Sequence, residues 1–191
     1  MPEDGKGCRP VAGRAHTDYG FHLAPMTVEQ VEEIPGLVTG RGVTSFKYYM
    51  FYKGFDLAAD SRGARAYTMG DEYDLGHLYL IMERLARTRR EHPGLRLSLH
   101  CEQPELMRVF VDRDRRGGGP QNLRAYSQAR PPPTEQVAVA EAAAPAAHTG
   151  VQVNFLHLLN GRPGRGAGSR RAGRAARAES DHYHRVRWTN N

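Results

Sequence analysis

The sequence has 191 residues and a formal net charge of +6, and 39% of its residues are hydrophobic. This length allows one ordinary domain with its own core, or part of a larger protein. The charge would suit a nucleic-acid-binding protein, but residues 161–191 hold eight Arg and two acidic residues, and the remainder carries no net charge. The basic excess is therefore confined to the tail, and the body shows no electrostatic sign of nucleic-acid binding.

The two cysteines, Cys8 and Cys101, are far apart in sequence and form neither a disulfide framework nor a paired metal motif. This usage suits a reducing compartment, so we expect a cytoplasmic protein. The N-terminal residues 1–16 contain no apolar segment of the kind found in signal peptides. No run approaches the roughly 18 apolar residues that a membrane-spanning helix needs, so we expect no membrane partner.

In chain order, the first half of the sequence alternates between strand and helix patterns. Thr27 and Gln30 have the spacing of a capping box at a helix start. The glycines at 36, 40 and 42 are expected to break the chain before the next strand. Apolar residues recur at helical spacing from Leu75 to Ala86, which predicts a core-facing helix. The predicted elements are a strand over 17–24, a helix over 27–34, a strand over 43–51 and a helix within 71–94.

The second half continues the alternation. Pro104 is placed to begin a helix, and Pro145 is expected to bend or shorten one. The predicted elements are a strand over 95–100, a helix over 104–116, a loop over 116–121, a helix over 134–150 and a strand over 151–159. Strands and helices that alternate at this pace predict an α/β fold with a parallel sheet.

Three side chains capable of contacting a metal stand near the ends of predicted strands. They are Lys47, His100 and His157, in three successive strand-helix units. In a (β/α) barrel the carboxyl ends of the strands converge on one catalytic face. For either histidine alone, a hydrogen-bonded core or surface residue is the plainer interpretation. Their shared placement favours a common site.

Four motifs in chain order carry a resemblance to a known family: DYGFH, SFKYYMFYKG, SLHCE and VNFLHL. Together they resemble the cyclic amidohydrolases of the dihydropyrimidinase and hydantoinase group, within the amidohydrolase superfamily, over about residues 17–159. The most specific motif is the pattern FK-x-x-M-x-YKG at 46–54. The resemblance implies a partial (β/α)8 TIM barrel of the metal-dependent hydrolase type, with about half of the barrel present.

The resemblance also implies cofactors and site residues. In that family the first lysine of the pattern is carboxylated by carbon dioxide and bridges two divalent metals, usually zinc, so Lys47 would be the bridging ligand. His100 and His157 would bind one of the metals, and Tyr52 would contact the substrate and the developing oxyanion. Carboxylation also explains a lysine inside an apolar run, because it replaces a cation that is costly to bury. The implied reaction is hydrolysis of a C–N bond in a small cyclic amide.

Other ligands of that family are not placed in this sequence. No His-x-His pair precedes DYGFH, no Asp is placed on a last strand, and His182 and His184 follow the last predicted strand. We therefore expect an amidohydrolase fragment that keeps one metal half-site, defined as Lys47, His100 and His157, and is inactive alone. The alternative is a non-catalytic relative that acts as an interaction protein. Association into a homo-oligomer stays open.

The expected organisation is a poorly ordered segment over 1–16, the partial barrel over 17–160 and a basic disordered tail over 161–191. Residues 161–178 offer no apolar side chain larger than Ala apart from proline, so little can pack there. Their Arg, Gly and Ala enrichment would result from reading a GC-rich gene out of frame, a hypothesis that sequencing the gene beyond residue 160 tests. The less favoured alternative is a nucleic-acid-binding arm with Tyr183 and Trp188 as stacking residues.

Three further residues near the motifs have competing interpretations. Cys101 is predicted to be a small buried residue rather than a ligand or nucleophile. Glu102 is either a partner that orients His100 or an exposed carboxylate near a helix start. His22 matches no metal ligand of the family and is assigned a structural role.

Overall fold

The computed structural model describes residues 20–52, 73–119, 122–158 and 176–179, together with Arg14 and His16. Within these residues the strands form one five-stranded sheet in the order β1-β2-β3-β4-β5, and each neighbouring pair is parallel. The strands are β1 His22–Leu23, β2 Ser45–Tyr49, β3 Arg96–His100, β4 Val153–Leu156 and β5 Ala176–Glu179. The predicted α/β fold with a parallel sheet is confirmed.

The helices alternate with these strands along the chain. They are α1 Val28–Glu32, α2 Ile34–Arg41, α3 Leu75–Thr88, α4 Pro104–Arg116, α5 Leu123–Gln128 and α6 Pro132–Thr149. A 3-10 turn, Met50–Tyr52, follows β2 directly. The bounds of α4 are those predicted from the sequence, whereas α5 was not predicted. Among the described residues, none of the helices combines the length and apolar character required to cross a bilayer.

Side-chain caps fix where the first helices begin. The Thr27 hydroxyl accepts a hydrogen bond from the Gln30 backbone N–H, and the Gln30 side-chain oxygen accepts one from the Met26 N–H at 2.7 Å. The predicted cap is therefore present, with its return bond shifted by one residue. Asp74 caps α3 in the same way by accepting from the His77 N–H at 3.1 Å. Both caps satisfy donors that a helix start leaves unpaired.

The prediction that glycines break the chain before β2 is wrong for Gly36 and Gly40 and correct for Gly42. Gly36 and Gly40 lie within α2, and the helix ends only at Gly42, whose φ of 67° is in the left-handed region. A helical glycine costs only about 1 kcal/mol relative to alanine. Here burial of Ile34 and Val38, four residues apart on one face, offsets that cost.

Pro145 does not shorten the last helix as predicted. The helix α6 continues through Pro145 to Thr149 and ends at Gly150, which has a φ of 74°. A stripe of small residues faces the core on both sides of the proline: Ala138, Ala142 and Ala146. The packing of this stripe against the core keeps the chain helical at Pro145, although proline by itself favours the end of a helix.

The two sides of β2 and β3 differ in character, because successive residues of a strand point to opposite faces. The helix-side face consists of Phe46, Tyr48, Leu97 and Leu99, all in the buried core with residues of α1, α2, α3 and α6. The polar face consists of Ser45, Lys47, Tyr49, Ser98 and His100. The core is therefore built on one side of these strands, and the polar groups project from the other.

The expectation that the tail contains no packed structure is wrong at residues 176–179. These residues form β5, which pairs with β4 in parallel register from Ala176 opposite Val153 to Glu179 opposite Leu156. Ladder hydrogen bonds join backbone groups, so a strand can form without large apolar side chains. The rest of the predicted tail, and nearly all of segment 1–16, lie outside the described residues.

Candidate metal half-site

Two of the predicted site residues meet at the carboxyl edge of the sheet. His100 is the last residue of β3, and His157 follows the last residue of β4. Their ring centroids are 4.3 Å apart, with an angle of 64° between the ring planes. Neighbouring parallel strands end at the same edge, which is why residues 57 positions apart in sequence come into contact.

The backbone of His157 adopts a conformation that the sequence did not predict. Its φ of 36° lies in the left-handed region, which is uncommon for residues other than glycine. Such conformations cost about 1–3 kcal/mol and are concentrated at functional sites. In this chain the unusual backbone occurs at the position where the imidazole meets that of His100.

Lys47 lies on the polar face but not at a strand end. It is the central residue of β2 and is opposite Ser98, while Tyr49, two residues later, is opposite His100. β2 ends at Tyr49, two residues earlier than predicted, and Lys47 lies two residues before that end. The Lys47 ammonium is 4.7 Å from the centroid of the Tyr49 ring, which in turn is 6.1 Å from that of His100. The lysine thus approaches the histidines along the polar face rather than at its edge.

Glu102 connects His100 to a basic residue that sequence reasoning missed. A Glu102 carboxylate oxygen is 2.9 Å from His100 Nε2, and the other is 2.9 Å from Arg130 Nε. The Glu102 side chain is only 17% exposed. This excludes the interpretation of Glu102 as an exposed carboxylate near a helix start and favours the interpretation as a partner that orients His100. A lone arginine before three prolines, at 130–133, gave no sequence signal for this role.

The electrostatics of the edge favour a neutral His157 and an ionised Glu102. Burial lowers the pKa of His157, and the neighbouring charges of His100 and Lys47 lower it further. Burial alone would raise the pKa of Glu102, but the hydrogen bond from His100 and the charges of His100 and Arg130 outweigh it and lower that pKa. Neutral imidazole is the form that binds metals, so this environment suits a ligand.

The remaining predicted residues have simpler environments. Cys101 is 3% exposed, and burial raises the pKa of its thiol, as expected for a structural cysteine. His22 Nδ1 is 2.6 Å from the Ser45 hydroxyl on the paired strand, a structural contact as assigned. Tyr52 is the last residue of the 3-10 turn, and its side chain lies outside what the structure describes.

No family model matches the sequence of this chain. A segment of 71 residues is 38% identical to the D-hydantoinase of Geobacillus stearothermophilus and covers 36% of this chain and 15% of that protein. A crystal structure of D-hydantoinase matches with a TM-score of 0.66 at 22% identity, over 92% of this chain and 34% of that chain. The L-hydantoinase (dihydropyrimidinase) from Arthrobacter aurescens matches with a TM-score of 0.62 at 21% identity, over 86% of this chain and 32% of that chain.

The chain resembles part of a hydantoinase. The predicted resemblance to the dihydropyrimidinase and hydantoinase group is confirmed. The aligned sequence supports the resemblance to the group, and the solved structures support the fold. The chain spans about a third of the length of these hydantoinase structures.

The donor set of this hydantoinase-like chain fits part of a metal site. Two imidazoles in contact, one of them held neutral, are a ligand pair that zinc accepts. No group of three or more His, Cys, Asp and Glu side chains converges within the described ranges. Lys47 is a further candidate ligand. Its ammonium group has no lone pair, so it could bind a metal only after it loses its proton or is carboxylated.

Proposed function

We propose that this chain is a segment of a metal-dependent hydrolase that acts on C–N bonds of small cyclic amides, as its D-hydantoinase and dihydropyrimidinase relatives are named for doing. The observation that carries the proposal is the contact between His100 and His157 at 4.3 Å on the carboxyl edge of a parallel sheet. The motif around Lys47 and the 38% identity to a D-hydantoinase support it independently.

The role of the two histidines follows from their environment. The His100 Nε2 that faces Glu102 is engaged, which leaves Nδ1 with the lone pair that a divalent metal takes. His157 is desolvated and neutral in the metal-free chain, so it binds without first releasing a proton. A bound zinc would acidify water and polarise the amide carbonyl.

Lys47 and Tyr52 take roles that follow from the resemblance. The neutral Lys47 amine would attack carbon dioxide, form an N–C bond and release a proton, which yields a carbamate anion. A metal held by His100 and His157 would stabilise this anion by its positive charge. Tyr52 would donate a hydrogen bond to the oxyanion that develops on the amide carbonyl.

We further propose that the sheet is part of an incomplete (β/α)8 barrel and that the chain alone is inactive. Parallel strands in sequential order, with helices packed on one face, are the pattern of barrel winding. The described residues supply ligands for one metal, and the second set would come from elements that the relatives have in the rest of their length. Positioning of water and substrate, and not a bound metal alone, makes such sites efficient.

The test is zinc titration of the metal-free full-length chain against a competing chelator. His182 and His184 are first replaced with Asn, so that these tail histidines do not contribute. We expect one zinc per chain, bound through His100 and His157. Because even outer-shell changes weaken metal sites by about 10–100-fold, His100→Asn or His157→Asn should weaken binding by more than about 100-fold.

The matched control is His148→Asn, since His148 is exposed near the end of α6, away from the carboxyl edge. Equal affinity in the parent chain, which carries the two tail substitutions, and in both site variants made from it would refute the half-site. The zinc-loaded chain, supplied with bicarbonate, should leave hydantoin and dihydrouracil unhydrolysed. Turnover that disappears in Lys47→Ala would contradict the proposed inactivity.

A further inference from the structure

Arg130 ends a chain of side-chain contacts that begins at His100. The His100 ring contacts one Glu102 oxygen, and the other oxygen contacts Arg130 Nε at 2.9 Å. The Arg130 guanidinium lies over the ring of Tyr126, with its carbon 3.5 Å from the ring centroid. Arg130 also donates to the Tyr126 backbone carbonyl at 3.2 Å. The guanidinium is thus held between an aromatic ring and a carboxylate.

The backbone around Arg130 is anchored to the loop that follows β3. The Gln103 N–H donates to the Thr134 carbonyl at 2.9 Å, which connects that loop to the first turn of α6. Arg130 precedes the extended Pro131 that caps α6, and proline restricts the preceding residue to few conformations. The Arg130 side chain is 20% exposed. Its position relative to Glu102 is therefore set by tertiary contacts on both sides of the loop.

We propose that Arg130 is a positioning residue for His100. It fixes the Glu102 carboxylate so that the ring proton of His100 stays on Nε2 and Nδ1 remains available to a metal. That this positioning serves metal binding rests on the proposed function. The tautomer assigned to His100 does not, because it can be measured in the metal-free chain.

The physical basis is the geometry of the two charged groups. An ionised carboxylate only accepts hydrogen bonds, so a ring nitrogen 2.9 Å away must carry the proton. A carboxylate with one partner can rotate away, whereas a carboxylate held at both oxygens cannot do so without breaking an ion pair. Arginine suits this task because its planar group stacks on the Tyr126 ring while its positive charge lies beside the carboxylate, with Nε 2.9 Å from one oxygen. Lysine would keep the charge and lose that arrangement.

The test compares Arg130→Met, Arg130→Lys and a matched control by nitrogen NMR of the histidine rings in the metal-free full-length chain. The wild type should show His100 protonated on Nε2 alone. Arg130→Met should produce a mixture of the two tautomers, and Arg130→Lys an intermediate state. The control is Arg124→Met, on the preceding helix α5, where Arg124 is exposed and its loss should leave the His100 signals unchanged.

Zinc affinity provides the second readout. Arg130→Met should weaken zinc binding about tenfold, the lower end of the range for residues that orient a ligand. Tyr126→Leu keeps the measurement informative if Arg130→Met fails to fold, because Tyr126 is 59% exposed. It should shift the tautomer in the same direction by a smaller amount.

The two proposals fail in different ways. An unchanged Nε2 tautomer in every folded Arg130 and Tyr126 variant overturns the positioning role, whatever the zinc affinity. A wild-type chain that does not bind zinc overturns the half-site. A tautomer that still responds to Arg130 would then confirm the positioning of the ring without a metal.

Discussion

The helix-side face and the polar face of β2 and β3 are made from alternate residues of the same strands, yet they contribute different properties. Leu97 and Leu99 are fully buried against the helices. Lys47 and His100 remain partly exposed and contact aromatic rings and charged groups. Residues that stabilise the core and residues of the candidate site therefore alternate along the same strands and do not occupy separate segments of the chain.

This separation explains how a polar site can be placed next to a core. A substitution on the helix-side face removes buried apolar area, whereas one on the polar face removes a partly solvated group. The two kinds of change should therefore have different signatures in stability and in metal binding.

The largest expected effect is on the helix-side face. Leu97→Ala should lower the free energy of unfolding by about 2–5 kcal/mol, because it removes buried carbon atoms and leaves a cavity. Lys47→Met, on the neighbouring strand and the opposite face, should change it by less than about 0.5 kcal/mol. Urea denaturation of the metal-free chain measures both. A loss in Lys47→Met as large as that in Leu97→Ala would break the comparison.

A smaller effect is expected for the buried hydroxyl on the helix-side face. The Tyr48 hydroxyl donates to the Asp74 carbonyl at 2.7 Å, which attaches the start of α3 to β2, and burial raises the pKa of this phenol. Tyr48→Phe should destabilise the chain by about 1 kcal/mol, since the partly buried Asp74 carbonyl loses one of its two hydrogen bonds and keeps the one from the Leu78 N–H. The control is Tyr79→Phe, whose hydroxyl makes only a 3.4 Å contact with Glu83 on the same helix. Equal losses in urea midpoints for the two variants would argue against a special role for Tyr48.

The smallest effect is a pH dependence that arises at the carboxyl edge of the sheet, from His157 and Glu102. Burial lowers the pKa of His157 below the ordinary 6.5, so the unfolded chain binds a proton more readily than the folded chain. Stability should therefore be lost as the pH falls from 6.5 through the folded-state pKa. The Glu102 pKa is lowered from 4.5, so its contribution is lost only in a more acidic range.

Urea midpoints of the metal-free chain at pH 7.5 and pH 5.5 measure this loss. His157→Asn should reduce the difference between the two midpoints, and His148→Asn should leave it as in the wild type. A difference that is the same in all three chains would contradict the assignment to His157.

Much of the fold was predictable because local patterns and tertiary packing agree. Pro104 begins α4 at the predicted residue, and Thr27 caps α1 as its side chain suggests. The errors occur where packing outweighs local preference. Gly36 and Gly40 are helical because Ile34 and Val38 are buried, and α6 continues through Pro145 because an alanine stripe packs on both sides of it.

By itself, the sequence determined the alternation of strands and helices except for α2, α5 and β5, the parallel sheet and the identity of the two histidines that meet. These follow from periodicity and from short motifs, which are properties of neighbouring residues. Only the tertiary structure decided that Lys47 pairs with Ser98, that His157 adopts a left-handed backbone and that Arg130 reaches Glu102. Such facts depend on strand register and on contacts between segments distant in sequence, and no local pattern encodes them.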